Sequence, residues 1–285
     1  MLRIFHPTDL SHASEVAFAH AMKLGLASRG ELTIFHMARE RDAEDDLRGL
    51  PHVRETLIGW GLLPPHSPRE AVGGLGVRVT KIEVLGDDPT DAVLTYLESH
   101  AADLVVLATH QRDGIARWLH REVAAPLFQR SSVPALFVPP GVDGFVDLET
   151  GQLRLRRILF PIDEHPHPDS ALRKLPGIIG ALRAGPVTVE LLHVGASATV
   201  PKLQVPEIEG WTWTTRVVDG HVVEAILSAA NTQSADLLVM TTHGKHGFLD
   251  ALRGSTTEHV VRRARCPVLA VPALAADIGV VVSDS

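Results

Sequence analysis

Short unbroken runs of Val, Leu and Ile alternate with amphipathic stretches along this chain, and the alternation passes through the same cycle twice. Each cycle opens with a short apolar strand ending in Pro-x-Asp, RIFHPTDL from Arg3 and RILFPIDE from Arg157. A helical pattern follows, over Ser14–Ser28 in the first cycle and Asp169–Arg183 in the second. The next strand ends in histidine, His36 or His193. A third strand begins near Val77 or Trp211 and leads into a helix, Asp88–His100 or Val222–Thr232. The fourth strands, Leu104–Ala108 and Leu237–Thr241, are apolar throughout, and the fifth are Pro134–Val138 and Pro267–Val271. Strands that are apolar at successive positions bury both faces, and helices between them supply the cover. The pattern therefore predicts two α/β units, each an open, doubly wound parallel sheet.

The repetition is sharpest late in each cycle. The 37 residues from Asp236 align without a gap to those from Asp103, 133 positions earlier, and twelve are identical. The boundaries that follow are a first unit over 1–143, a linker over 144–156 and a second unit over 157–285. Within the linker, FVDLETGQLRL reads as a hairpin turning at Glu149–Gln152. The units differ most between strands two and three. There the first carries an amphipathic helix over about Asp42–Trp60, with Leu47, Leu50, Leu57 and Trp60 near one face. The second has Pro201 and Pro206 in that interval and no room for such a helix. The two fifth strands are expected to pair antiparallel, joining the units as an internal pseudo-dimer and covering two apolar edges.

Composition narrows the function. At 285 residues, 45% hydrophobic and 21% charged, the chain suits two soluble domains with their own cores. A net charge of -7 disfavours a general nucleic-acid or anionic-membrane surface but leaves room for a local anion pocket. One cysteine, Cys266, excludes an internal disulfide and is expected to be a buried strand residue. No basic-then-apolar leader follows Met1 and no apolar run reaches membrane-spanning length, so a cytoplasmic location is expected.

The chemistry concentrates after the fourth strand of the second unit. Gly244 and Gly254 are nine residues apart, and Ser255 and Thr256 follow. Gly244 lets the backbone turn and approach a phosphate, while free N–H groups and the dipole at the start of the last helix favour an anion. A plainer reading stands beside it, because Ser255 and Glu258 also form a capping box. Capping does not account for the two glycines.

With Pro161-x-Asp163 and the strand order, these residues resemble tandem universal stress proteins over nearly the whole chain. That family's loop runs Gly-x2-Gly-x9-Gly-(Ser/Thr), and Thr241 stands here for its first glycine. The resemblance implies a Rossmann-like fold of the adenine nucleotide-binding type. It also implies that ATP sits against Thr241, His243, Gly244, Gly254, Ser255 and Thr256, with adenosine near Pro161, Asp163 and Val194. Mg²⁺ held by the phosphates would accompany it. The implied role is a stress-response regulator acting through nucleotide occupancy on a protein partner, with homodimerisation common in the family.

In the first unit the loop positions read Gln111, Arg121 and Glu122, and Pro126 falls inside the copied helix. A side chain replaces the close approach and a carboxylate meets the phosphate position, so this copy is expected not to bind ATP although Pro7 and Asp9 remain. His243 and its counterpart His110 are expected to orient the loop. His165 and His167, beside Asp169, are expected as exposed turn histidines rather than a metal site, since no zinc-type spacing occurs among the sixteen histidines. No nucleophile–base pair is spaced for catalysis, and the Ser-Gly-Gly-x-Asp-Ser loop of ATP pyrophosphatases is absent. A dedicated catalyst is therefore not expected. The alternatives are a nucleotide-independent scaffold and a weak ATPase or phosphotransferase.

Overall fold

A computed structural model describes residues 1–38, 50–109, 133–242 and 256–273. Ten strands form one sheet: β1 (Arg3–Thr8), β2 (Glu31–Ala38), β3 (Arg78–Leu85), β4 (Leu104–Ala108), β5 (Ala135–Val138), β6 (Arg157–Pro161), β7 (Val187–Val194), β8 (Trp211–Val218), β9 (Leu237–Thr242) and β10 (Val268–Pro272). Their order is β3-β2-β1-β4-β5-β10-β9-β6-β7-β8, so the second half mirrors the first about the β5–β10 seam. Pairing is parallel within each half. At the seam it is antiparallel, with Leu269 opposite Leu136 and Ala270 opposite Ala135. This is the expected internal pseudo-dimer. Leu136 and Leu269 are fully buried there, so the edge each half would otherwise expose is covered by the other.

The halves begin alike. The Asp103 carboxylate accepts the backbone N–H of Arg3 at 2.9 Å and its guanidinium at 2.7 and 3.0 Å. Its counterpart Asp236 accepts the N–H groups of Arg156 and Arg157 at 2.7 and 2.8 Å. In each half one carboxylate thus satisfies the free donors where the first strand starts, beside the start of the fourth.

Helices cover both faces. His12–Ser28 starts at Ser11, whose side chain accepts from the Ser14 N–H, and stops at Arg29 in the left-handed conformation. Its counterpart is shorter than the pattern implied. It runs Asp169–Ile178, carries Pro176 inside, and gives way to a 3₁₀ turn over Gly180–Leu182. Proline removes an N–H donor and crowds the preceding turn, which favours the early stop.

The inserted amphipathic segment also differs from expectation. Its described helix is Val53–Gly59, because Leu50–His52 with Pro51 are not helical, and residues 42–49 lie outside the described residues. Leu50, Leu57 and Trp60 are buried as the apolar pattern required, Val53 is buried beside them, and Leu47 lies outside the described residues.

The linker closes its hairpin through Asp147 N–H to Gln152 O at 3.0 Å and Arg154 N–H to Phe145 O at 2.8 Å. Phe145, Val146 and Leu155 lie in the same buried cluster as the His12–Ser28 helix. The linker is therefore part of the core. Cys266 is buried just before β10, and burial pushes its thiol up to about 12. It is an inert packing residue, as expected, although it precedes the strand.

Candidate functional site

The parallel strands of the second half end together, and a cavity of about 350 Å³ opens beyond the ends of β6, β7 and β9. That size is at the small end of the range for small-molecule sites. Each strand end brings part of the wall. Pro161, Ile162 and Asp163 come from β6 and the turn after it, Leu192 and Val194 from β7, and Met240, Thr241 and Thr242 from β9. Val222 and Ile226, one turn apart on the helix Val222–Thr232, form an apolar side. Thr256 and Thr257 of the helix Thr256–Arg263 form a hydroxyl-bearing one. Five sequence-derived residues, Pro161, Asp163, Val194, Thr241 and Thr256, thus converge from four elements. His243, Gly244, Gly254 and Ser255 lie outside the described residues, as do His110, Gln111, Arg121, Glu122 and Pro126.

The strand-end histidine has a positional job in both halves. His193 donates from Nδ1 to the carbonyl of Ile162 at 3.2 Å, and His36 donates to Thr8 O at 2.9 Å. Ile162 and Thr8 are the middle residues of the two Pro-x-Asp turns. Each histidine therefore ties the end of the second strand to the turn that carries the aspartate.

The two aspartates are held differently. Asp9 Oδ1 accepts the Ser11 N–H at 3.1 Å, the Ser11 hydroxyl at 2.6 Å and the Ser14 hydroxyl at 2.5 Å. It is committed to the start of the His12–Ser28 helix. In the second half the corresponding residues are His165 and Pro168, which cannot make that network. Asp163 is exposed, accepts the N–H of Glu164 at 2.8 Å, and borders the cavity.

The walls differ as well. Phe35 stands in the first half where Leu192 stands in the second, and Tyr96 stands where Ala229 does. Phe5, Phe35 and Tyr96 pack as a trio with ring centroids 5.3–5.5 Å apart.

Several wall residues escaped the sequence reading. Leu192, Val222, Ile226 and Met240 continue core-like apolar patterns, which do not reveal whether a face meets another element or a cavity. His165 was expected only as an exposed turn residue. His167 pairs with Asp169 at 3.2 Å, and among the described residues no group of three potential ligands could hold a metal ion.

An adenine nucleotide suits this donor set. The aliphatic walls accept a flat apolar group, and Asp163 can accept hydrogen bonds from it. Thr241 Oγ1 is a buried hydroxyl without a partner among the described residues, a polar group left to be satisfied.

The universal stress protein family model matches residues 1–139 and 202–272. Over 57 residues the chain is 42% identical to a universal stress protein of Methanocaldococcus jannaschii. The match takes in 20% of this chain and 34% of that protein, so it spans about a third of that relative's length. The crystal structure of a universal stress protein from Archaeoglobus fulgidus aligns over 96% of this chain and 97% of its own, with TM-score 0.59 and 18% identity. That likeness is one of fold. A universal stress protein solved in complex with cAMP aligns over 49% of this chain and 98% of its own, with TM-score 0.34 and 22% identity. No described helix is long and apolar enough to cross a membrane.

Proposed function

Because the chain belongs to the universal stress protein family, we propose that its second half binds ATP and that occupancy, rather than turnover, is the signal. The observation that carries this reading is the convergence of Asp163, Val194, Thr241 and Thr256 on one cavity at the strand ends. Ligands of open parallel sheets bind in that place. In the proposed complex, adenosine lies between Asp163 and the aliphatic wall of Val194, Val222 and Ile226. The triphosphate extends toward the start of the Thr256–Arg263 helix, where the first-turn N–H groups and the helix dipole favour an anion. Mg²⁺ would be held chiefly by phosphate oxygens and water. Thr256 offers a hydroxyl, and Gly244, Gly254 and Ser255, which lie outside the described residues, would supply the remaining phosphate contacts that the family's loop pattern implies.

The first half is a structural copy in this reading. Its aspartate is committed to a helix start. A protein partner would read the state of the second half.

Equilibrium dialysis with ATP tests the proposal. One ATP per chain, lost in Gly254→Glu, is the expected result. Absence of binding at millimolar ATP sinks it and leaves the scaffold alternative. Mass spectrometry of the ligand carried through a gentle purification identifies which adenine nucleotide the protein prefers.

A further inference from the structure

Asp163 needs a hold from outside that Asp9 does not. Asp9 is fixed by Ser11 and Ser14 at the start of the His12–Ser28 helix. Asp163 is exposed, and among the described residues its carboxylate accepts only the N–H of Glu164, at 2.8 Å. The residue before it, Ile162, is held at both backbone groups. Its N–H donates to Leu192 O at 2.9 Å, and its carbonyl accepts His193 Nδ1–H at 3.2 Å. His193 therefore sets where the turn that carries Asp163 leaves the sheet. Leu192 and Val194, on either side of it, belong to the cavity wall.

His193 is in turn held from beyond the cavity. The residue is 2% exposed, and its Nε2 faces the Thr199 hydroxyl at 2.9 Å. The same hydroxyl donates to Ala196 O at 2.8 Å and closes the exposed turn Ser197–Thr199. Gly195 leaves room for the contact, since a Cβ there would stand 3.3 Å from Nε2. Thr199 lies outside the cavity wall.

We propose that Thr199 is a positioning residue of the second-half site: from an exposed turn, it sets nucleotide affinity through His193 and the Ile162–Asp163 turn. This deepens the nucleotide reading above and rests on it. An acceptor fixed before the ligand arrives costs no ordering on binding, whereas one that must be ordered then weakens affinity. Without the Thr199 hydroxyl, His193 is held on one side only, and the imidazole, the Ile162 carbonyl and Asp163 can shift together. In the first half His36 makes the same bond to Thr8 O, at 2.9 Å, but Asp9 has its own anchors in Ser11 and Ser14. Such a hold matters where the aspartate has none of its own.

The test is calorimetric titration of the full chain with ATP. The proteins are wild type, Thr199→Val, Thr199→Ser, His193→Asn and the double variant His193→Asn/Thr199→Val, each first shown to be folded by circular dichroism. Valine keeps the shape of threonine without its hydroxyl, and serine keeps the hydroxyl. Asparagine keeps a donor for Ile162 O but is too short to reach Thr199. ATP affinity is expected to fall about fivefold in Thr199→Val and to return within about twofold of wild type in Thr199→Ser. In the His193→Asn background, Thr199→Val should change affinity by less than about twofold, because the contact is already gone. Wild-type affinity in Thr199→Val overturns the proposal. So does a loss of the same size in both backgrounds, or a Thr199→Ser variant as weak as Thr199→Val. Failure of wild type to bind ATP overturns the nucleotide reading itself, and is thereby told apart from failure of the positioning role alone.

Discussion

His20 Nε2 accepts the backbone N–H of Phe145 at 3.0 Å, across 125 residues of sequence. The same nitrogen lies 3.3 Å from the N–H of Val146, and Nδ1–H donates to the carbonyl of Val16 at 2.7 Å. These partners fix one neutral tautomer. The imidazole fastens the linker hairpin to the first helix, and its ring meets the Phe145 ring edge-on at 4.4 Å.

Stability should therefore fall in mild acid. Burial lowers His20 to about 4, and lowers His6, which donates to Val106 O at 2.8 Å, to about 4 as well. Both folded values lie below the unfolded value of 6.5. As pH drops through 6.5 the unfolded chain takes up protons that the folded chain refuses, so stability present above that pH is lost progressively toward pH 4. The loss is on the order of 3 kcal/mol per histidine at the low end. Urea denaturation at pH 7.5, 5.5 and 4.5 measures it. In His20→Phe and His6→Phe variants the pH slope should be shallower, and an unchanged slope would contradict the assignment.

Removing the latch should also cost stability at neutral pH. His20→Leu leaves two buried N–H groups of the hairpin without their acceptor, at about 1–3 kcal/mol for each unsatisfied group. Hydrogen exchange at Phe145 and Val146 should accelerate more than exchange within β6, because the hairpin opens locally before the sheet does.

Gly151 sets a second constraint on the hairpin. Its φ is +64°, and a Cβ there would overlap the indole of Trp60, whose Nε1–H donates to Leu148 O at 3.0 Å. Gly151→Ala is expected to lower thermal stability by about 1–3 kcal/mol, through backbone strain and displacement of Trp60. Trp60 fluorescence follows the displacement directly. A variant with native stability and native emission would refute the packing argument.

Much of this architecture was legible in the order of residues. Unbroken apolar runs such as Leu104–Ala108 specify strands buried on both faces, and the doubled cycle made the β5–β10 seam a natural closure. The latch was not legible. His20 sits in a helical pattern beside Phe18 and Met22, and nothing local signals that its acceptor faces a linker 125 residues away. Pro51 and Pro176 were visible, yet amphipathic periodicity ran across both positions and masked their effect on helix length. At the candidate site, chemistry-bearing residues such as Asp163 could be chosen from their place at strand ends. The aliphatic wall could not, since Val222 and Ile226 show the same i,i+4 spacing that a core-facing helix shows.

The paired aspartates give the sharpest contrast between the halves. Asp9 anchors a helix start through the Ser11 and Ser14 hydroxyls, at 2.6 and 2.5 Å, whereas Asp163 borders the cavity and, among the described residues, its carboxylate accepts only the neighbouring Glu164 N–H. The same change should therefore have opposite consequences. Asp9→Asn weakens charge-assisted hydrogen bonds at the N-terminus of the His12–Ser28 helix and removes a favourable charge from its dipole. A loss of about 1–2 kcal/mol in unfolding free energy is expected, with ATP affinity within twofold of wild type. Asp163→Asn should leave unfolding nearly unchanged, because the side chain is exposed, while ATP affinity falls by about tenfold as an ionised acceptor is lost from the cavity. Parallel denaturation and dialysis on the two variants decide the matter. If Asp9→Asn weakens ATP binding as much as Asp163→Asn does, the first half takes part in nucleotide recognition and the division of labour between the halves is wrong.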